Sequence, residues 1–183
     1  NGLSVRSFYM GGGTPTTLSA QQMDRLLTHM ERQLPLEHCI EYTVEAGRPD
    51  TIDRDKLVMM KNHAVGRISV NPQTFCDETL KIIGRAHTGA DTIRAYELAR
   101  SLGFDDINMD LIAGLPQDSL EGFQRSLDAV AALDPANITV HTLALKKGAD
   151  LFEKKVQLPS QEEVARMVEY ANEQLAKHGY KPY

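Results

Sequence analysis

The sequence predicts an α/β protein, a partial TIM-type (β/α) barrel of parallel strands with helices outside, and three observations carry that expectation. Short apolar strands alternate with helical segments, and the strand and helix unit recurs every ~30 residues, the size of one βα repeat. The strands are not uniformly apolar, as those of an open sheet covered on both faces would be; each separates a polar face from a greasy one. The residues that carry chemistry fall at or near the C-terminal ends of five consecutive strands, the rim at which such barrels assemble their sites.

The elements follow in order. Val5 to Met10 is a short strand that runs into Gly11-Gly12-Gly13 and then Thr14-Pro15-Thr16. Three consecutive glycines remove every Cβ where the strand ends, so a ligand can lie directly against backbone N–H and C=O groups. A tight strand-to-helix turn reads equally well from this loop alone. Ser19 is placed to cap the next helix, which runs to about Leu34 with Met23, Leu26, Leu27 and Met30 at helical spacing. Ile40 to Val44 is the second strand and Asp53 to about His63 the second helix, with Leu57, Val58 and Met60 on its apolar side. Arg67 to Val70 is the third strand, followed by a short helix from Asp77 to Ile83 and a longer one from about Gly89 to Leu102, stopped by Gly103. Ile107 to Ile112 is the fourth strand, closed by Gly114-Leu115-Pro116. Ser119 caps a helix through Leu133, Ile138 to Leu143 is the fifth strand, and Gln161 to His178 is a final helix ended by Gly179.

Side-chain parity argues for a closed or partly closed sheet. Successive strand residues point to opposite faces, which groups Glu41, Thr43 and Glu45 against Tyr42 and Val44. Ser69, Asn71 and Gln73 likewise oppose Ile68 and Val70 if the third strand stays extended to Gln73, and Asn108, Asp110 and Ile112 oppose Met109 and Leu111. Helices cover the greasy face in this reading, and the polar face lines a lumen.

Composition narrows the function classes. With 183 residues and 42% hydrophobic content the chain suffices for one core. A net charge of -5 and a pI near 5.7 argue against a nucleic-acid-binding surface. No window has the apolar length of a membrane span. The two cysteines, Cys39 and Cys76, form neither a C-x-x-C nor a zinc pattern, so a reducing cytoplasm is the expected compartment. The sequence opens almost directly on a strand and ends at Tyr180-Lys181-Pro182-Tyr183, where another strand is due. The expectation is one domain over 1–183, a partial barrel cut from a longer chain at both ends.

The candidate site residues are Gly12, Gly13, Thr14, Glu45, Gln73, Arg85, Asp110, Ile112 and Ala144. Individually each has a plainer reading. Asp110 suits a buried carboxylate satisfied by backbone or by Asn108, Glu45 a solvated loop acid, and Arg85 a surface charge. Arg85 does follow Gly84 at a helix end, a position suited to gripping a carboxylate bidentately. The argument rests on the ordered set.

Six segments carry a family resemblance: Gly11 to Thr16, Val44-Glu45-Ala46, Arg67-Ile68-Ser69, Gln73-Thr74-Phe75, Gly84-Arg85-Ala86-His87, and Asn108-Met109-Asp110-Leu111-Ile112-Ala113-Gly114-Leu115-Pro116. Together they resemble the oxygen-independent coproporphyrinogen III oxidase family, also called coproporphyrinogen dehydrogenases, which are radical S-adenosylmethionine (SAM) enzymes. The resemblance runs from Arg6 to about Gly148 and more loosely beyond. It implies the radical SAM fold, here its second through sixth βα units. Gly12, Gly13 and Thr14 would meet the methionine end of SAM, Glu45 would support its ammonium and Arg85 would pair with its carboxylate. Gln73 and Asp110 would hold the ribose hydroxyls, with Ile112 and Ala144 flanking the adenine. A zwitterion needs one acid and one base, a diol suits a carboxylate with an amide, and a purine wants apolar contact.

The reaction implied is oxygen-independent oxidative decarboxylation of coproporphyrinogen III propionates to vinyls, giving protoporphyrinogen IX. In the family a reduced 4Fe-4S cluster, chelated by the amino-acid end of SAM, cleaves it to a radical that abstracts hydrogen from a propionate side chain. Three cysteines in a C-x3-C-x2-C loop hold that cluster. Cys39 and Cys76 do not match it, so the loop is expected upstream and these residues alone are expected to be inactive. Two departures mark a divergent branch: Glu45-Ala46-Gly47-Arg48-Pro49 is one residue longer than E-V-D-P or E-A-N-P, and Asn71-Pro72-Gln73 stands for G-V-Q. Since the family includes members that look like haem chaperones, a haem-binding delivery protein is the alternative, with His87 and His141 as possible haem contacts or as ordinary structural histidines. An RNA-modifying radical enzyme is a third class, disfavoured by the acidic balance.

Overall fold

The computed structural model describes residues 4–144 and 156–182. Gly148 and Tyr183, which the sequence reading used as landmarks, lie outside the described residues. Five strands, β1 (Ser7–Met10), β2 (Glu41–Glu45), β3 (Arg67–Gln73), β4 (Asp106–Ala113) and β5 (Asn137–Thr142), form one sheet in sequence order. β1 pairs with β2 in parallel, Ser7 opposite Glu41, and β2 with β3, Thr43 opposite Arg67. Among the described residues six helices accompany them: α1 (Ala20–Gln33), α2 (Arg54–Asn62), α3 (Asp77–Ile82), α4 (Gly89–Ser101), α5 (Leu120–Ala132) and α6 (Gln161–Lys177). Parallel neighbours joined through helical crossovers are what the βα repeat requires.

The helix starts follow the capping logic of the sequence. Ser19 accepts from the Gln22 N–H while the Gln22 side chain accepts from the Ser19 N–H, a reciprocal pair that satisfies two otherwise orphaned donors. Asp53 and Ser119 each accept one first-turn N–H, and Ser160 with Glu163 repeats the reciprocal arrangement at α6. Because Glu163 accepts from the Ser160 N–H and hydroxyl, its carboxyl is held below the ordinary range.

The boundaries depart from expectation in instructive ways. β3 continues three residues beyond Val70, through Pro72 to Gln73. Proline lacks an N–H but its fixed φ is compatible with an extended chain, so it does not have to end a strand. β2 is displaced by one residue, which brings Glu45 into the strand and leaves Ile40 77% exposed. Leu26 and Val58 lie at the surface, whereas Leu27, Leu57 and Met60 are fully buried. Sequential helical residues are 100° apart, so each of these pairs has to divide between core and solvent. Three short 3-10 turns, Pro15–Thr17, Leu36–His38 and Pro49–Thr51, have no counterpart in the sequence reading.

The chain forms two compact units. Asn1–Asn71 with Asp91–Asn108 make the first, and Pro72–Ala90 with Met109–Tyr183 the second. The first is built on Met23, Leu27, Val44, Leu57, Met60, Ile68, Val70 and Phe104, all fully buried. There α1 is joined to α2 by His63, which follows α2 and takes Glu31 at 3.0 Å on Nδ1 and Asp24 at 2.9 Å on Nε2. Burial alone lowers the affinity of such a ring for a proton, but the bonds to Asp24 and Glu31 outweigh it and His63 titrates above its ordinary value. In the second unit Ser126 ties α5 to the loop after β3: its Oγ lies 3.1 Å from Thr74 Oγ1, accepts from the Phe75 N–H at 3.0 Å and donates to the Gly122 carbonyl at 3.0 Å. α6 packs with Met167 and Ala171 inward, and Tyr170 donates to Asp128 of α5 at 3.2 Å.

Candidate functional site

In the first unit the site begins at the end of β1. No heavy atom lies within 4 Å of where a Cβ on Gly12 or Gly13 would sit, and Gly12 has φ +118, a conformation closed to ordinary L residues. Both backbones are therefore open to a ligand. Gly11 is the opposite case: a Cβ there would meet the Tyr9 ring and come within 2.7 Å of Glu45 Oε2. Parallel pairing sets Met10 opposite Val44. Glu45, the last residue of β2, thus lies beside the glycines, and its Oε2 accepts the Gly12 N–H at 3.2 Å.

The exit of this loop is held by a polar clamp that the sequence reading missed. Thr51 donates its hydroxyl to the Arg48 carbonyl at 2.8 Å, so the 2.6 Å contact between Thr16 and Thr51 has Thr16 as donor. Lys56 Nζ then donates to the carbonyls of Thr16 at 2.8 Å and Thr51 at 2.9 Å. The turn Pro15–Thr17 is thereby fastened to the turn Pro49–Thr51. A lysine in the first turn of a helix gives no signal of this role, because the partners that make the clamp are backbone carbonyls of loops, while its ion pair with Asp53 at 3.2 Å stays within its own helix cap. Thr14 is half-buried, and its carbonyl accepts from the Thr17 N–H at 2.9 Å and the Thr17 hydroxyl at 2.8 Å.

Beyond Glu45 the Ala46 N–H donates to the Ser69 carbonyl at 3.1 Å, which keeps the end of β2 against β3. On the polar face of β3, Ser69 and Asn71 are both buried. Among the described residues the Ser69 hydroxyl and the Asn71 Oδ1 have no hydrogen-bond partner. A polar face turned inward, not toward water, is what the parity argument required.

In the second unit Gln73 is buried and has φ +68, a left-handed conformation for a residue with a side chain. Arg85 is positioned by its backbone. Gly84, at φ +71, ends α3, the Gly84 N–H donates to Lys81 at 3.2 Å, and the Arg85 N–H donates to Leu80 at 2.8 Å, the paired bonds of a Schellman stop. Asp110 of β4 has a side chain 17% exposed, with His141 Nε2 at 4.0 Å from its Oδ2. Ile112 is half-buried, Ala144 is exposed, and the Leu143 N–H donates to the Ala113 carbonyl at 2.9 Å, which joins the chain neighbours of both. The structure thus joins Gly12 directly to Glu45 in one unit, and in the other sets Asp110 near His141. His87 is 2% exposed with Nε2 at 3.2 Å from the Pro72 carbonyl, the structural role of the two considered for it.

Cys39 donates its thiol to the Glu41 carbonyl at 3.1 Å, and Cys76 immediately precedes α3. Among the described residues no group of three or more His, Cys, Asp or Glu side chains could hold a metal ion, and no helix is long and apolar enough to cross a membrane.

Comparison with known proteins gives this geometry its family. The model of the Radical SAM superfamily matches residues 2–130. The oxygen-independent coproporphyrinogen-III oxidase-like protein HemZ of Bacillus subtilis is 44% identical over 99% of this chain and 37% of its own length. The heme chaperone HemW of Lactococcus lactis is 37% identical over 98% of this chain and 48% of its own length. The chain therefore spans less than half the length of these relatives. Among solved structures, coproporphyrinogen III oxidase HemN of Escherichia coli, a radical SAM enzyme, superposes with a TM-score of 0.88 at 27% identity, covering 97% of this chain and 42% of that one. The α/β partial-barrel class expected from the sequence is the fold of that enzyme.

Members of the superfamily use SAM and a 4Fe-4S cluster. The residues of the first unit fit SAM: an open backbone without Cβ atoms and a carboxylate beside it suit the ammonium of its zwitterionic amino-acid end. They do not fit the cluster, which is held by cysteine thiolates in greater number than the two cysteines of this sequence, Cys39 and Cys76. Motifs, fold and relatives converge on one assignment: this chain belongs to the radical SAM superfamily, beside the oxygen-independent coproporphyrinogen III oxidase-like proteins its segments resemble.

Proposed function

We propose that this protein is a SAM-dependent enzyme of haem biosynthesis that decarboxylates the propionates of coproporphyrinogen III to vinyls without oxygen, giving protoporphyrinogen IX. The observation that carries the reading is the Glu45 carboxylate bonded to the Gly12 N–H at the open glycine loop. An anionic group fixed there by backbone and strand pairing is preorganised for an ammonium and needs no reorganisation when the ligand arrives. Gly12, Gly13 and Thr14 give that end of SAM its backbone contacts. Arg85 takes the carboxylate, Gln73 and Asp110 the ribose, and Ile112 with Ala144 the adenine, each by the family likeness of its segment. Bound SAM with its cluster supplies the hydrogen-abstracting chemistry; the protein orients the ligand and excludes water. The cluster cysteines come from sequence outside residues 1–183, in a cytoplasmic protein whose small-molecule partner is the porphyrinogen.

The second reading is a haem chaperone on the same scaffold, favoured by the likeness to the protein named HemW. Anaerobic assay of the full-length protein with reconstituted cluster, SAM, a reductant and coproporphyrinogen III separates the two. The oxidase reading expects protoporphyrinogen and carbon dioxide in step with SAM consumption. Stoichiometric haem binding without decarboxylation replaces it with the chaperone.

A further inference from the structure

The departure at Asn71 has a structural counterpart that no family motif explains. Asn71 is 7% exposed and its Oδ1 is buried without a hydrogen-bond partner. Buried side-chain amides are costly unless paired, and asparagine is a poor strand residue, so packing alone gives little reason for it here. Its neighbours show what it faces. Gly47 lies between Asn71 and Glu45: a Cβ on Gly47 would be 3.2 Å from Glu45 Oε1 and 3.4 Å from Asn71 Nδ2. The other oxygen of the same carboxylate, Oε2, accepts from the Gly12 N–H. The Glu45 carboxylate is thus bonded to the open glycine loop through Oε2, while its Oε1 and the Asn71 Nδ2 both border the space beside Gly47. Pro72 restricts the Asn71 backbone to the extended region, so the amide stays on the polar face of β3 with Ser69.

We propose that Asn71 is a further ligand-contacting residue, whose amide oxygen shares with Glu45 the ammonium of the amino-acid end of SAM. The inference rests on the SAM reading of the site and deepens it. An α-ammonium has three N–H donors. A carboxylate and a backbone carbonyl leave one of them to be met, and the amide oxygen meets it. The extra residue in the Glu45 to Pro49 segment belongs to the same device, because Gly47 keeps the space between amide and carboxylate clear.

The test uses the full-length protein with its cluster reconstituted anaerobically, titrated at equilibrium with SAM and with methylthioadenosine, which keeps adenine, ribose and sulfur but has no amino acid. Asn71→Ala is expected to weaken SAM about tenfold and to leave methylthioadenosine unchanged, the loss of one hydrogen bond to a charged group. Asn71→Asp, which keeps the acceptor, is expected to bind SAM at least as well as wild type. Should Asn71→Ala not fold, the Asp variant decides: a tenfold loss of SAM in it overturns the proposal. Unchanged SAM affinity in Asn71→Ala, or equal losses of both ligands, also overturns it. If wild type binds neither ligand, the SAM reading of the site fails first, an outcome distinct from failure of Asn71 alone.

Discussion

Two polar side chains of the first unit, one in the seam between α1 and α2 and one on the polar face of β3, are treated in opposite ways. His63 has both ring nitrogens engaged, by Glu31 and Asp24. Asn71, more deeply buried, has an amide oxygen with no partner. A fold that supplies two carboxylates to one imidazole does not lack hydrogen-bonding groups. The seam closes on itself, whereas the strand end near Glu45 leaves an acceptor open, which the proposed SAM site would use. The same contrast separates Gly11, where a Cβ would meet Tyr9 and Glu45, from Gly12 and Gly13, where a Cβ would meet nothing among the described residues.

The strongest way to break the comparison is to remove charge at the open end. Glu45→Gln is expected to reduce SAM affinity of the full-length protein about thirtyfold or more, the cost of losing a hydrogen bond to an ionised acceptor, while the melting temperature stays near wild type. A large loss of stability with ligand affinity retained would make Glu45 a structural acid after all.

The seam should respond the other way. His63→Gln is expected to cost about 1–2 kcal/mol of stability near pH 6 and to leave ligand affinity untouched. Because the folded pKa of His63 is raised, its contribution is fully present below the unfolded value of about 6.5 and fades as pH rises through the folded value. Urea unfolding at pH 6 and pH 8.5 should therefore show wild type and variant converging at the higher pH. Tyr42 does not interfere, since burial, with Glu31 and Cys39 nearby, pushes its phenol up to about 12.

The smallest effect tests backbone strain in the same seam. Ala64, next to His63, has φ +55, and its N–H donates to Lys61 while that of Val65 donates to Met60. That is the bond pattern of a glycine stop filled by alanine. Ala64→Gly is expected to stabilise by about 0.5–1 kcal/mol, read as a rise in the urea midpoint, because glycine takes this conformation without a Cβ clash.

Much of the architecture was legible because its signals are local. Ser19, Asp53 and Ser119 announce helix starts through short side chains that reach their own backbone, and Gly84 and Gly103 announce helix ends. Period-2 alternation exposed the polar face of β3 before any coordinate did. The Thr16, Thr51 and Lys56 clamp was not legible, because Lys56 reaches carbonyls, which every residue owns, and the Thr16 to Thr51 hydroxyl contact joins residues 35 positions apart. Leu26 and Val58 were misplaced because hydropathy does not say which of two adjacent apolar residues meets the core.

By itself the order of residues determined the βα repeat, the parallel sense of the strands, the caps and the family, since each follows from periodicity, chain connectivity or a contiguous motif. Only the tertiary structure decided that Glu45 bends back to the Gly12 N–H, that Lys56 fastens two turns, and that the Asn71 amide is buried beside Gly47 with its Oδ1 unpartnered among the described residues. Those facts depend on which atoms from separate strands come within about 3 Å of one another, the range over which hydrogen bonds form, and that is set by packing in three dimensions.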